Sequence, residues 1–461
     1  MLAKRNDAIE AARILLFISF TALAVTLTSC SQNEDNTTQV LPGSLAALSV
    51  GGSLLEGAVV TQIGPYNDVP RAVSILADGK ILVAGASYDE RLVDLFIARF
   101  DRGGRLDSAF GNQGIVTSPV GSGNDRVQAI AIQPDGRILV AGARHNGQDL
   151  DTSISRYLLD GSLDTTFAQG GIYKVSMGIG NDIANALSLQ EDGSIFVAGT
   201  GHDDMGAIGF TVIKLMPQGI PDMSFGNSGR LVLRLGVGEA QTEDSALLVS
   251  VDARNRVLLA GTVLNGMQKE LGLVRLLANG SRDALFGNQG QMIIAVSTAD
   301  DEPTALAIQP DSKLLVAVSV FADGKRGVAL YRLSENGSFD DFGEQSRAAG
   351  GGLSTANQIR VLPDGKILLA GSFYHRHTRS DFAIERFLPN GQLDSAYGKV
   401  GRVQSPVSKD NDSINAVWLT EDAHLIVAGV VNEAEKRLGL CLARYNSEGL
   451  MDNRFGRDSF L

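Results

Sequence analysis

VQAIAIQPDGRILVAG, residues 127–142, decides the fold. Residues 127–133 are a short apolar run, Asp135-Gly136 is a dipeptide that favours tight hairpin turns, and residues 137–142 are a second β-rich run. The first run sets small Ala129 and Ala131 against larger Ile130 and Ile132. Both of its faces are apolar, as expected of a strand whose sheet is sandwiched between two others. A polar loop follows, and SISRYL (residues 153–158) reads as a third strand. The loop DGSLDTTFAQG then leads to GIYKVSM (residues 171–177), a fourth. Four short strands per unit, without helical periodicity, are the order of elements in a propeller blade.

The hairpin returns seven times. It reads ADGKILVAG at Asp78, PDGRILVAG at Asp135, EDGSIFVAG at Asp192, ARNRVLLAG at Arg254, PDSKLLVAV at Asp311, PDGKILLAG at Asp364 and EDAHLIVAG at Asp422. These positions lie 57, 57, 62, 57, 53 and 58 residues apart. A period of this size marks a repeat architecture, in which each unit buries its apolar face against its neighbours. The expected fold is therefore all-β, a seven-bladed β-propeller of four-stranded blades, and residues 57–461 form one domain despite their length. A β-solenoid is the structural rival, although its coils are shorter and lack the hairpin order. Blade 7 reaches Gly456 with little chain left for a fourth strand, and GAVVTQI (residues 57–63) precedes the first complete blade. Residues 58–63 are thus expected to pair with the third strand of blade 7 and close the ring.

One polar pairing occurs in every unit: a basic residue late in the third strand, then an aspartate eight positions on. The pairs are Arg99/Asp107, Arg156/Asp164, Lys214/Asp222, Arg275/Asp283, Arg332/Asp340, Arg386/Asp394 and Arg444/Asp452. A feature present in all seven blades cannot mark one site, so these are expected to be structural ion pairs; arginine suits that task because its planar fork matches a carboxylate. A calcium loop is the alternative, weakened because each loop offers one recurrent carboxylate where calcium takes six to eight oxygens.

A second pattern is incomplete. An acid stands four positions before an alanine of the innermost strand at Asp68, Asp125, Asp182, Asp301 and Asp412, with a shifted Glu243-Asp244 in blade 4 and no acid in blade 6. These residues read either as Asx-turns that start the strand or as a cation- or ligand-binding mouth of the axial channel. His145, His202, His375 and His377 fall in loops after the second strand, on the same face, where solvated loop residues are the simpler reading. Nucleophile-elbow, phosphate-loop, zinc-protease and dinucleotide motifs are absent from the sequence. No catalytic residue, metal ligand or cofactor is assigned; a divalent cation such as calcium is the one cofactor the acids suggest.

The repeat resembles the bacterial delta-60 repeat family. The matching features are the ADG/PDG turn, the VAG that follows, the Arg-aromatic pairs (Arg99-Phe100, Arg156-Tyr157, Arg386-Phe387, Arg444-Tyr445), and GRLDSAFG from Gly104 and GQLDSAYG from Gly391. It covers roughly residues 57–461. The order of elements is also similar to NHL-type propeller repeats, which supports architecture only. Neither resemblance implies a reaction, because propellers host binding, scaffolding and catalysis alike.

At the N-terminus Lys4, Arg5 and Arg13 precede the apolar run ILLFISFTALAV (residues 14–25), which is short for a membrane span and reads as a signal peptide over residues 1–29. Leu27-Thr28-Ser29-Cys30 resembles the bacterial lipobox, which implies lipid attachment at Cys30. Residues 30–56 then form a polar tether. Ser31, where an aspartate would resemble an inner-membrane retention signal, favours the outer membrane of the cell envelope. Beyond Cys30 only Cys441 remains, so neither a disulfide framework nor a cysteine metal site is available. The net charge of -12 excludes a general nucleic-acid surface. The expected partners are the membrane, through the lipid, and an envelope protein or glycan. The expected role is a binding module; the alternatives are a lactonase-like or lyase-like propeller enzyme and an envelope scaffold.

Overall fold

The computed structural model describes residues 56–88, 93–118, 126–203, 205–235, 244–322, 325–340, 342, 352–375, 379–432 and 437–457. The expected signal peptide, Cys30, the expected tether up to residue 55, Asp125, Glu243 and His377 lie outside the described residues. The described chain is all-β: seven antiparallel sheets form the blades of a seven-bladed β-propeller.

Blade 1 consists of Asp68–Ile75, Ile81–Tyr88, Val93–Phe100 and Ile115–Ser118, hydrogen-bonded in that order from the axis outward. Blades 2 to 7 begin at Arg126, Ile183, Ser245, Glu302, Thr355 and Ser413. Three strands of blade 5 are described, Glu302–Ile308, Leu314–Ala322 and Lys325–Leu333. In blade 7 the outermost strand comes from the other end of the chain: Ala58–Thr61 pairs antiparallel with Leu438–Tyr445, Ala58 opposite Ala443 and Thr61 opposite Leu440.

The apolar core is divided among seven seams, one between each pair of neighbouring blades. The aromatic that ends each third-to-fourth-strand loop motif (Phe-Gly, Tyr-Gly or, at Phe167, Phe-Ala) plugs the seam to the next blade. Phe110 packs with the apolar side chains of blade 2, Phe167 with blade 3, and Phe455 with blade 1. Each is buried, and full burial of such a ring contributes about 1.5–3 kcal/mol. The seam between blades 7 and 1 joins Val73, Phe96 and Phe100 to Leu440, Leu442 and Phe455.

The hairpin turn differs from the primed two-residue form that Asp-Gly suggests. In blade 1 the Gly79 amide donates to the Leu76 carbonyl (2.8 Å) and the Leu76 amide to the Lys80 carbonyl (2.9 Å). Only Gly79 has positive φ, +80°. A primed type I turn needs positive φ at both central residues; this is a type I turn followed by a bulge at the glycine. Asn255, Ser312 and Ala423 occupy the glycine position in blades 4, 5 and 7 and are held at φ of 60°, 67° and 61°.

Every innermost strand also carries a β-bulge, at Arg71, Gln128, Asn185, Leu247, Thr304, Asn357 and Asn415. Bulges bend and twist a strand and re-aim the extra side chain. In blades 3, 6 and 7 that side chain is an asparagine whose amide donates to the next blade: Asn185 to the Ala246 carbonyl (2.8 Å), Asn357 to Ile414 (2.6 Å) and Asn415 to Pro70 (2.9 Å).

Candidate functional site

The recurrent basic/acidic pairs are ion pairs within each blade. Arg99–Asp107, Arg156–Asp164, Lys214–Asp222, Arg275–Asp283 and Arg386–Asp394 approach to 2.8 Å, Arg332–Asp340 to 2.7 Å and Arg444–Asp452 to 2.6 Å. The arginines do more than pair: each also reaches a backbone carbonyl of the following blade. Arg156 donates to the Pro217 carbonyl (2.7 Å), Arg386 to Ser447 (2.6 Å), Arg99 to Leu159 and Arg275 to Glu335. Arg444 of blade 7 reaches Arg102 of blade 1 (3.5 Å). A parallel backbone bond runs beside this latch, with the Gly111 amide donating to Asp160 (2.9 Å) and Gly456 to Gly103 (2.8 Å). The guanidinium also lies over the seam aromatic, 4.8 Å from Phe110 and 4.7 Å from Phe167. Blade 3 departs from the scheme. Its shorter Lys214 makes the ion pair and sits 5.4 Å from the Phe196 ring.

Most of these aspartates are bonded within their own loops as well as to the basic residue. In Asp164 one oxygen takes Arg156 and Arg137, and the other takes the Thr166 amide (3.1 Å) and hydroxyl (2.6 Å). Burial works to raise the Asp164 pKa, but the Thr166 hydrogen bonds and Arg156 outweigh it and hold the carboxyl below its ordinary value. In Asp222 the Lys214 and Ser224 hydrogen bonds dominate and bring it to about 2.

The candidate mouth acids lie elsewhere than a solvated rim. Asp68, Asp182, Asp301 and Asp412 are buried, as is Asp244, while Asp125 is outside the described residues. Each accepts backbone amides four to nine positions earlier in the chain, so neither the forward Asx-turn nor an open cation mouth describes them. Asp68 takes the Ile63 amide (2.7 Å), Asp182 Met177 (2.6 Å), Asp244 Leu235 (2.9 Å), Asp301 Val296 (2.6 Å), and Asp412 both Val407 (2.9 Å) and Ser408 (2.7 Å). They tie the segment arriving from the previous blade to the start of the inner strand. Desolvation raises the pKa of Asp182 and pushes Asp412 up to about 6, the latter against the Ser408 hydrogen bonds and with help from nearby Asp381.

Of the four loop histidines, the side chains of His145 and His202 are described, and they make separate contacts. The His145 ring accepts the Gly147 amide (3.1 Å), and His202 lies 3.7 Å from Asp182. Among the described residues no group of three or more His, Cys, Asp or Glu side chains is placed to hold a metal. Cys441 is buried, and desolvation raises its thiol well above the ordinary range.

What varies from blade to blade on this face is exposed and apolar. Met205, Met267, Phe321 and Tyr374 project from or beside the loops after the second strands of blades 3, 4, 5 and 6; Met267 is 97% exposed and Met205 88%. Inner-strand starts differ as well. Arg126 stands where the other blades have Val69, Ile183, Ser245, Glu302, Thr355 and Ser413, and Arg71 occupies a bulge that is asparagine in three blades. Sequence reasoning passed over both arginines; their departure from the repeat consensus was the available signal.

Comparison with known proteins agrees with this architecture. Residues 76–110, 133–167, 190–225, 309–341 and 362–397 match the family described as a domain of unknown function (DUF5122) beta-propeller. A search of curated proteins finds no match. Among solved structures, an ulvan lyase described as a new polysaccharide lyase family is similar at a TM-score of 0.50 and 12% identity, covering 83% of this chain and 95% of that one. A virginiamycin B lyase from Staphylococcus aureus reaches 0.46 at 10% identity, covering 84% and 98%. Drosophila Semaphorin 2a reaches 0.48 at 8%, covering 85% and 76%. At such identities only the fold is shared. The chain is a seven-bladed β-propeller of repeated four-stranded units, and segments of five of those units match the DUF5122 beta-propeller model.

Proposed function

We propose that this protein is a lipid-anchored binding module of the bacterial cell envelope, of the delta-60 repeat type, that captures a macromolecule or glycan on the face formed by the loops after the second strands. One observation carries the reading. The polar groups that recur around the ring are consumed by the scaffold as latches and loop ties, whereas Met205, Met267, Phe321 and Tyr374 are exposed and non-recurrent at or beside the loops after the second strands of four consecutive blades. Large exposed side chains gathered on one side of a rigid ring are the anatomy of an interaction surface. The lipobox-like Leu27-Thr28-Ser29-Cys30 and the polar stretch after it support attachment to the membrane, with the outer membrane favoured by Ser31.

Two measurements test this. Residues 31–461, screened against envelope glycans and solubilised envelope proteins, should retain a ligand that a Met205→Ser, Met267→Ser, Phe321→Ser, Tyr374→Ser variant loses; retention by the variant would sink the surface assignment. In cells, Cys30→Ala should release the protein from the membrane fraction and abolish lipid labelling. Unchanged labelling would remove the anchor.

A further inference from the structure

Among the described residues Arg71 and Arg126 stand on adjacent blades without an acidic partner, Arg71 half-buried and Arg126 exposed. The innermost strands of blades 1 and 2 lie side by side around the axis. Arg71 occupies the bulge of the first, and Arg126 opens the second. Arg126 pairs in register with Ala143, which places it at the end of the blade where the loop after the second strand emerges. Among the described residues neither arginine makes a hydrogen bond or an ion pair, and the Arg71 Nε is shielded from solvent without an acceptor. In blades 3, 6 and 7 the same bulge holds an asparagine that does find its acceptor.

Desolvation lowers the Arg126 pKa; the Tyr88 phenol opposes this and the Arg71 charge adds to it. The contrast with blade 5 is informative. Burial raises the pKa of Glu302, at the position equivalent to Arg126, but Lys269 and Arg326 offset that cost. Arg126 also borders a cleft shared with Leu95, Val127, Arg144, Ser153 and Ser155, in which the Arg144 guanidinium donates to the Ser155 hydroxyl (3.3 Å). In a chain of net charge -12, two neighbouring guanidiniums without an acidic partner among the described residues are a local exception rather than part of a basic surface.

We infer that Arg71 and Arg126 form an oxyanion-binding subsite at the junction of blades 1 and 2, which takes a carboxylate or sulfate group of the bound ligand. An anion between them would relieve the like-charge repulsion, give the buried Arg71 Nε its missing acceptor, and use the bidentate geometry that guanidinium offers to oxyanions. The choice of an anionic glycan or protein as the bearer of that group rests on the binding-module reading; the subsite itself does not.

Calorimetric titration of residues 31–461 with sodium sulfate and with glucuronate, at low ionic strength, tests the subsite directly. Saturable binding of at least one, weakened by about tenfold or more in Arg126→Gln and in Arg71→Gln, is expected, since each variant removes a charge-assisted hydrogen bond to the anion. Arg71→Lys should recover part of the loss. Added chloride salt should weaken the binding. No binding of either anion, or equal binding by both glutamine variants with unchanged urea midpoints, would overturn the subsite. An envelope ligand retained by the glutamine variants but lost on substitution of Met205, Met267, Phe321 and Tyr374 would also overturn it, and would leave the binding-module reading standing.

Discussion

Arg156→Ala should destabilise the propeller by about 3 kcal/mol, and the reasoning is specific to its surroundings. Arg156 and Asp164 are 5% and 3% exposed, so the substitution strips one partner from a buried charged pair, a change that costs about 3–5 kcal/mol. Three compensations favour the lower end. Asp164 keeps Arg137 at 3.0 Å. It also keeps the Thr166 amide and hydroxyl. The Pro217 carbonyl, which loses its 2.7 Å donor, keeps the Gln133 side-chain amide at 3.3 Å. Against them stands the lost cation–π contact with Phe167, worth about 0.5–2 kcal/mol. Urea unfolding of wild type, Arg156→Ala, Asp164→Ala and the double variant gives the coupling directly; about 1–3 kcal/mol is expected for groups in one network. Arg444→Ala should cost less, because that side chain is more exposed and its contact with the next blade is 3.5 Å. Additivity of the double variant to within about 0.5 kcal/mol, or a larger cost at Arg444 than at Arg156, would refute the latch.

Three further outcomes follow from the same geometry. Ala423→Gly should raise stability by about 0.5–1 kcal/mol, because Ala423 is held at φ of 61° where the left-handed region penalises a Cβ and the equivalent Gly79 sits freely; a lowered melting temperature would contradict the turn assignment. Asp412 titrates near 6 when folded, above its ordinary 3.8, so its contribution is fully present below about pH 4 and is lost as pH rises through 6. Asp412→Asn, which keeps an acceptor for the Val407 and Ser408 amides, should flatten the stability profile between pH 4 and 6, and an unaltered slope there would remove Asp412 as its source. Deleting residues 56–61 takes away the strand that pairs with Leu438–Tyr445 and bares a sheet edge. Light scattering and size exclusion should report aggregation, whereas a monodisperse variant of normal unfolding midpoint would show that this pairing is dispensable.

The seven-fold recurrence of a four-strand unit was legible in the sequence, because a period of about 57 residues and an apolar hairpin survive any rearrangement of detail. The i,i+8 spacing of Arg156 and Asp164 was legible for a similar reason: the arginine lies at the end of the third strand and the aspartate in the loop that follows, so local chain geometry brings them together. The other end of each arginine was not. Pro217 lies 61 residues away from Arg156, and only the stacking of one blade on the next delivers its carbonyl. The same limit governed the aspartates at the inner-strand starts. Their position in the chain could be read, but whether they face a channel or the protein interior depends on where the preceding segment arrives, and the structure turns Asp68, Asp182, Asp301 and Asp412 inward onto its amides. The bulges carry no local signature, since residues as different as Arg71, Leu247 and Asn415 occupy them. Sequence by itself therefore determined the repeat, its hairpins and the pairs eight residues apart, which are short-range and repeated. Tertiary structure decided which groups the ring consumes and which it leaves facing solvent, because that depends on contacts between blades some 60 residues apart in the chain.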